Sequence, residues 1–352
     1  MSTLIEELIV VTYILINIFG MQQEGGIFST QPPTDVHPLI ADYDADNYDY
    51  RTHWKKRAYE QWAESFALER LLVRIRQARW LIDFGGGFGR NTIHYFQRTR
   101  HAVLVDYSLG NLKRAATTYA AEIERGHLFL IRADLYHLPF IDKAFDVGFI
   151  VRVLHHLTEV GDALREMGRV VGQQWLLDVP IKHHVFARLC ALAHGKLREL
   201  STWEPKMIGT GDTPFASFHL AQIRWLLSEY EWDSSIVASV NNFRRWDQLL
   251  PAWAVALLKP EIYGLEMVAQ RVGKGWWGPS QFIWATRREP GVAQELSMAP
   301  PALRGKPWAM LAVRMSCPIC HLPLQWSCSA AHCERCSHLY PQTGLIWDFV
   351  PQ

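Results

Sequence analysis

Four cysteines near the carboxyl end have the spacing of a metal site. Cys317 and Cys320 form one C-x-x-C pair, Cys333 and Cys336 a second, and twelve residues separate the pairs. Two such knuckles wrap a tetrahedral Zn2+ with four thiolates, a closed and therefore structural site on which a short segment with little core depends to fold. A redox dithiol accounts for one C-x-x-C pair but not for two at this spacing. Cys328, His321, His332 and His338 fall off the pattern, and Cys190 reads as an ordinary buried thiol.

A second group of residues suggests ligand chemistry. In "WLIDFGGGFGRNT", Trp80 to Thr92, an apolar run carrying Asp83 leads into Gly85, Gly87 and Gly89. Lacking Cβ, these glycines allow positive φ and let a ligand approach the backbone. A dinucleotide fingerprint, G-x-G-x-x-G, needs glycine or alanine at the next position, which is Arg90. Asp106 follows about twenty residues later at the end of another apolar run, where a carboxylate can accept from both hydroxyls of a ribose. For proton transfer the candidates are His155 and His156, with His183, His184 and His219 further along, because neutral imidazole titrates near working pH.

The elements that must position these groups alternate. "WLIDF" (80–84), "AVLVDY" (102–107), "LFLIRAD" (128–134), "FDVGFIV" (145–151) and "WLLDVP" (175–180) are short β-type runs, and each of the first four precedes a helix-forming stretch. That alternation predicts buried parallel strands with helices on both faces. "WDSSIVASV" (232–240) and "SQFIWATR" (280–287) suit a closing antiparallel pair. Ahead of the first strand, Tyr59, Trp62, Ala63, Phe66 and Ala67 recur at helical spacing, with Lys55, Lys56, Arg57, Arg70, Arg74 and Arg76 as a basic outer face.

The set "LIDFGGGFGRNT", "LVDYS" and "RADLYHLPFIDKAFDVGFIVRVLHHL" resembles the class I S-adenosylmethionine-dependent methyltransferases, especially those acting on quinone precursors and other small molecules. The resemblance covers roughly residues 50–290, with its specific motifs in 80–160. It implies a Rossmann-like α/β fold, with a seven-stranded sheet and helices on both faces. By the same resemblance, Asp83, Gly85, Gly87 and Gly89 would hold the amino acid end of S-adenosyl-L-methionine. Asp106, with Tyr107 beside it, would hold the ribose. Asp134 would accept from the adenine amino group, flanked by the Ala133 and Leu135 backbone. Arg152 would lie near the methionine moiety and substrate, although the family usually has a small polar residue there. Tyr43, Tyr48 and Arg57 fall where the family folds a segment over the cofactor, and His155 is the candidate catalytic base. The cysteine segment and its continuation "HLYPQTGLIWDFV" resemble zinc ribbons that accompany or activate methyltransferases.

The resulting organisation is an apolar extension (1–30), a helical cap over the cofactor site (31–79), a methyltransferase domain (80–288) with an insertion (181–231), a linker (289–307) and a zinc ribbon (308–352). The 36 Lys+Arg against 35 Asp+Glu leave no global bias toward polyanions, and the ribbon segment 303–352 has four Lys+Arg against two Asp+Glu. Nucleic acid is therefore the less favoured partner, and rRNA or tRNA methylation stands as the alternative to a small aromatic or lipophilic acceptor. A non-catalytic scaffold is the third reading. The ribbon is expected to dock onto the catalytic domain or a protein partner. "LIVVTYILINIF" (8–19) is short of the roughly 20 residues that span a bilayer, so a cytoplasmic location is expected, with membrane contact through residues 4–19 as the minority reading.

Overall fold

A computed structural model describes residues 57–208, 215–248, 250–291 and 299–350. Residues 1–56, and with them Tyr43, Tyr48 and the apolar run, lie outside the described residues, as do 209–214 of the insertion and 292–298 of the linker.

The five alternating runs form β1 (Ala78–Phe84), β2 (Thr99–Asp106), β3 (Leu128–Arg132), β4 (Phe145–Ile150) and β5 (Val171–Pro180), all parallel to one another. Their interiors are buried on both faces, which is why they read as continuous apolar runs without polar alternation. The insertion contributes a short hairpin that periodicity did not reveal, β6 (Lys206–Ile208) with β7 (Phe215–Ser217). The expected closing pair is present as β8 (Trp232–Val240) and β9 (Ser280–Arg287), with β9 antiparallel to both β5 and β8.

Helices cover both faces. Trp80, Phe84 and Trp175 point to one face, toward the helices at Val160–Val170 and Leu220–Glu229. Leu81, Leu104 and Phe149 point to the other, which is covered by α1 (Ala58–Leu72) and by a helix of 21 residues at Ala252–Val272. The stretch between β8 and β9 gave no helical signal in the sequence, because the long helix there buries polar Glu266 and Gln270 while exposing apolar residues. No helix among the described residues is long and apolar enough to cross a membrane.

The cysteine segment is continuous with this sheet. It supplies β10 (Gln325–Trp326), β11 (Ala330–His332), β12 (Leu339–Thr343) and β13 (Ile346–Asp348), and β13 pairs in parallel with β3. The strand order among the described residues is β10-β11-β12-β13-β3-β2-β1-β4-β5-β9-β8. An edge of β3 that would otherwise present unpaired N–H and C=O groups is thereby closed. Trp347 is fully buried, edge-on to Trp308 (5.9 Å between ring centroids) and Trp326 (5.0 Å), and Trp308 in turn packs on Phe129 of β3 (5.0 Å).

Candidate active site and metal centre

β1 lies between β2 and β4, so the strand order reverses at its carboxyl end, where open α/β sheets bind ligands. The glycine turn sits there. Gly85 (φ 64°) packs so closely that a Cβ would meet a Val153 methyl at 2.5 Å. Gly87 (φ 58°) instead faces open space, where a Cβ would meet nothing within 4 Å. The turn is knitted to β2, since Gly87 N donates to Asp106 Oδ2 (2.8 Å) and Ser108 N donates to Oδ1 (2.9 Å).

Asp83 is buried beneath the turn and accepts from the Tyr95 hydroxyl (2.8 Å). Burial pushes its carboxyl up to about 7; the Tyr95 hydrogen bond opposes this and the Asp106 carboxylate adds to it. Asp134 follows β3 in a tight turn, accepting from Tyr136 N (2.9 Å) and pairing with His137 Nδ1 (3.1 Å). That hydrogen bond raises the His137 pKa above the ordinary histidine value. Buried Ala133 donates its N–H to the Asp106 carbonyl (3.3 Å), half-buried Leu135 packs on the adjoining core, and Tyr107 lies under the Arg132 guanidinium (5.3 Å from carbon to ring centroid). His137 carries no sequence signal as a neighbour of Asp134 beyond its i+3 spacing.

Arg152, placed by the resemblance near the methionine moiety, is held by carboxylates of β5 and α1. Its backbone adopts φ 65° and its N–H donates to Asp178 Oδ2 (3.2 Å), while its guanidinium donates to Glu64 Oε2 (2.8 Å) and Glu60 Oε2 (3.2 Å) of α1. Arg90 pairs with the other oxygen of Glu64. Arg57 (3.2 Å) and Arg244 (3.3 Å) pair with Glu60, and Ser280 donates to Asp178. Burial opposes ionisation of both glutamates, but the surrounding guanidinium charges overcome it and hold them below the usual carboxylate range. Arg90, which in the sequence only broke a fingerprint, thus ties the loop after β1 to α1, as Arg152 ties the loop after β4. Arg57 belongs to this network, which removes it from the basic outer face expected of that helix.

Among the histidines, the structure separates two groups. His155 is buried between His156 (4.0 Å between centroids) and Phe215 of β7 (4.3 Å). His183 and His219 stack on each other (4.4 Å, 22°), and the Nδ1 atom of each is buried without a hydrogen-bond partner. Burial first, and then the neighbouring His219 and Arg188, bring His183 down to about 4. His184 caps the next helix by accepting from Ala187 N (3.4 Å). Among the aromatic residues of the insertion, Phe215 meets a candidate histidine, Phe218 is core, and Trp203 lies exposed against Trp225 (5.4 Å).

Sγ atoms of Cys317, Cys320, Cys333 and Cys336 all lie within 4.8 Å of one another. A tetrahedral Zn2+ with bonds of about 2.3 Å separates its thiolates by roughly 3.8 Å, so the cluster fits the ion. Tyr340 Oη lies 3.4 Å from Cys317 Sγ, and Cys336 N donates to Cys333 Sγ (3.4 Å), outer contacts of the type that orient metal thiolates. Cys328 is exposed and its thiol reaches the Ala302 carbonyl, outside the cluster.

Residues 82–174, which hold the glycine turn and the strand ends around it, match the family model described as a methyltransferase domain. The chain is 27% identical over 139 residues to the demethylmenaquinone methyltransferase of Thermobifida fusca, covering 39% of this chain and 57% of that protein. It is 31% identical over 138 residues to the ubiquinone/menaquinone biosynthesis C-methyltransferase UbiE of Pseudomonas fluorescens, covering 38% and 51%. The chain thus spans little more than half the length of these curated relatives. Among solved structures, a chain of the complex between the Haloferax volcanii Trm112 methyltransferase activator and a methyltransferase aligns with a TM-score of 0.44 at 13% identity, over 73% of this chain and 99% of that one.

Proposed function

We propose that this chain transfers a methyl group from S-adenosylmethionine to a small aromatic or lipophilic acceptor. The observation that carries the reading is the open glycine turn at the carboxyl end of β1, tied through Gly87 to Asp106 of β2. This is the arrangement a nucleoside needs, with backbone for close approach and a carboxylate for the ribose hydroxyls. Asp134, with the Ala133 and Leu135 backbone, would receive the adenine, and Asp83 and the 85–89 turn the amino acid end.

When bound, the cofactor supplies a methyl group that is already electrophilic on its sulfonium. The chain's own task is alignment and exclusion of water. The network of Arg90, Arg152, Glu60 and Glu64 ties the post-β1 and post-β4 loops to α1 beside the site. For an acceptor that carries a proton, His155 and the stacked His183 and His219 are the imidazoles at hand. The environment of His183 keeps it neutral at working pH, as a weaker base than an ordinary imidazole. The quinone-related names of the two relatives support this acceptor class.

Calorimetric titration with S-adenosylhomocysteine tests the reading. The full chain should bind, and Asp106→Ala should weaken binding about 10- to 100-fold, the loss of charge-assisted hydrogen bonds to the ribose. No binding by the parent chain, or equal binding by both, would sink the proposal.

A further inference from the structure

The long helix at Ala252–Val272 is docked by its polar side. Tyr59 donates to Glu266 Oε2 (2.6 Å), the amides of Asn241 (3.1 Å) and Asn242 (3.0 Å) donate to the same carboxylate, and Gln270 donates to the Ala63 carbonyl (2.8 Å). Glu266 and Gln270 are fully buried. The opposite side carries Trp253, Leu257, Leu265, Val268 and Val272, each at least 53% exposed. Their spacing places them on one stripe, interrupted at Glu261. A surface helix ordinarily turns such a stripe inward.

One end of the stripe meets unneutralised positive charge. Arg271 lies on the helix between Val268 and Val272, close to Arg70 and Arg74 of the α1 region. Among the described residues, Nε and Nη2 of Arg70 are buried without hydrogen-bond partners, and the charges acting on this side chain are those of Arg271 and Arg74, of its own sign. Just beyond Val272, the carbonyl of half-exposed Trp276 accepts from Val185 N (2.7 Å), which starts the helix at Val185–Ala193 with its exposed Leu189 and Leu192.

Apolar side chains bordered by clustered guanidiniums, with no carboxylate among the charges acting on Arg70, match the boundary of an anionic bilayer, where the former enter the acyl region and the latter meet lipid phosphates. We propose that this face docks the protein peripherally on anionic lipid surfaces. The inference rests on this face alone and stands apart from the methyl-transfer reading.

Flotation of the full chain with phosphatidylcholine vesicles, alone or mixed with phosphatidylglycerol, tests it. The chain should float with the mixed vesicles, and Leu257→Glu with Leu265→Glu should weaken this by about 10-fold or more. Arg70→Gln with Arg271→Gln should cost about fivefold per arginine and erase the preference for phosphatidylglycerol. A chain lacking residues 1–20 should still float and still depend on Leu257 and Leu265. The proposal is overturned if the substituted chains float like the parent, or if removal of residues 1–20 alone abolishes flotation. It is equally overturned if the substitutions change oligomeric state by light scattering without affecting flotation, which would assign the face to a second copy. Circular dichroism and S-adenosylhomocysteine titration of each variant separate these outcomes from misfolding and from failure of the cofactor reading.

Discussion

At the scale of single residues, burial sets the chemistry of the carboxylates around the glycine turn. Asp83 and Asp178 are both buried, and burial pushes them up to about 7 and about 6 from an ordinary value of 3.8. A carboxyl whose folded pKa is raised binds more protons folded than unfolded, so its contribution to stability falls as pH rises from the unfolded toward the folded value. For Asp83 that window runs from about 4 to about 7. Asp83→Asn keeps an acceptor for the Tyr95 hydroxyl and removes the buried charge. Denaturation midpoints of this variant should lose the part of the decline across that window that Asp83 contributes, and at pH 8 should exceed the parent by at least about 1 kcal/mol. A second test concerns the imidazoles. His183→Asn should lower kcat for a hydroxyl or amine acceptor about 10- to 100-fold while leaving S-adenosylhomocysteine affinity unchanged. Loss of cofactor affinity instead would show that His183 shapes the fold and moves no proton.

At the scale of elements, the ion network decides how α1 is held. Glu64 pairs with Arg90 behind β1 and with Arg152 behind β4, and Glu60 with Arg57, Arg152 and Arg244. Removing one partner of a buried pair leaves the other charge uncompensated, at about 3–5 kcal/mol. Glu64→Gln should therefore destabilise by about that amount in urea titration. Arg152→Met alone should do likewise, and the double variant should be less destabilised than the sum of the two, the sign of direct coupling. Strict additivity would show that Glu64 and Arg152 act independently and are not directly coupled.

At the scale of the whole molecule, the cysteine cluster and the catalytic sheet form one structure. Asp348 of β13 pairs with Arg132 of β3 (2.9 Å), Arg132 Nε donates to the Tyr107 carbonyl (2.9 Å), and Tyr107 follows Asp106. Chelation should unfold the ribbon, expose Trp308 and Trp347, and shift tryptophan emission to longer wavelength, because structural Zn2+ supplies folding free energy. Metal analysis should return about one equivalent of zinc, lost in Cys333→Ser. Less than half an equivalent from metal-replete expression would count against the site.

The sequence by itself determined what local pattern controls. Buried parallel strands must be apolar on both faces, so β1 to β5 were legible as runs, and the closing pair β8 and β9 followed in the same way. Left-handed turns need glycine, so the turn at Gly85 and Gly87 was legible, and cysteine spacing alone picked out the four thiols that converge. Tertiary structure alone decided the rest, because those contacts join residues far apart in the chain. The guanidinium of Arg152 meets Glu60 and Glu64 across about ninety residues, a separation that no periodicity encodes. His183 meets His219 because β5 and the insertion hairpin lie side by side. The helix at Ala252–Val272 was missed because amphipathic reasoning assumes an apolar inner face, whereas here Tyr59 and the Asn241 and Asn242 amides satisfy a buried carboxylate and leave the apolar stripe outside. The pairing of β13 with β3 was likewise invisible, since hydrogen bonds between backbones are blind to the side chains that make a sequence readable.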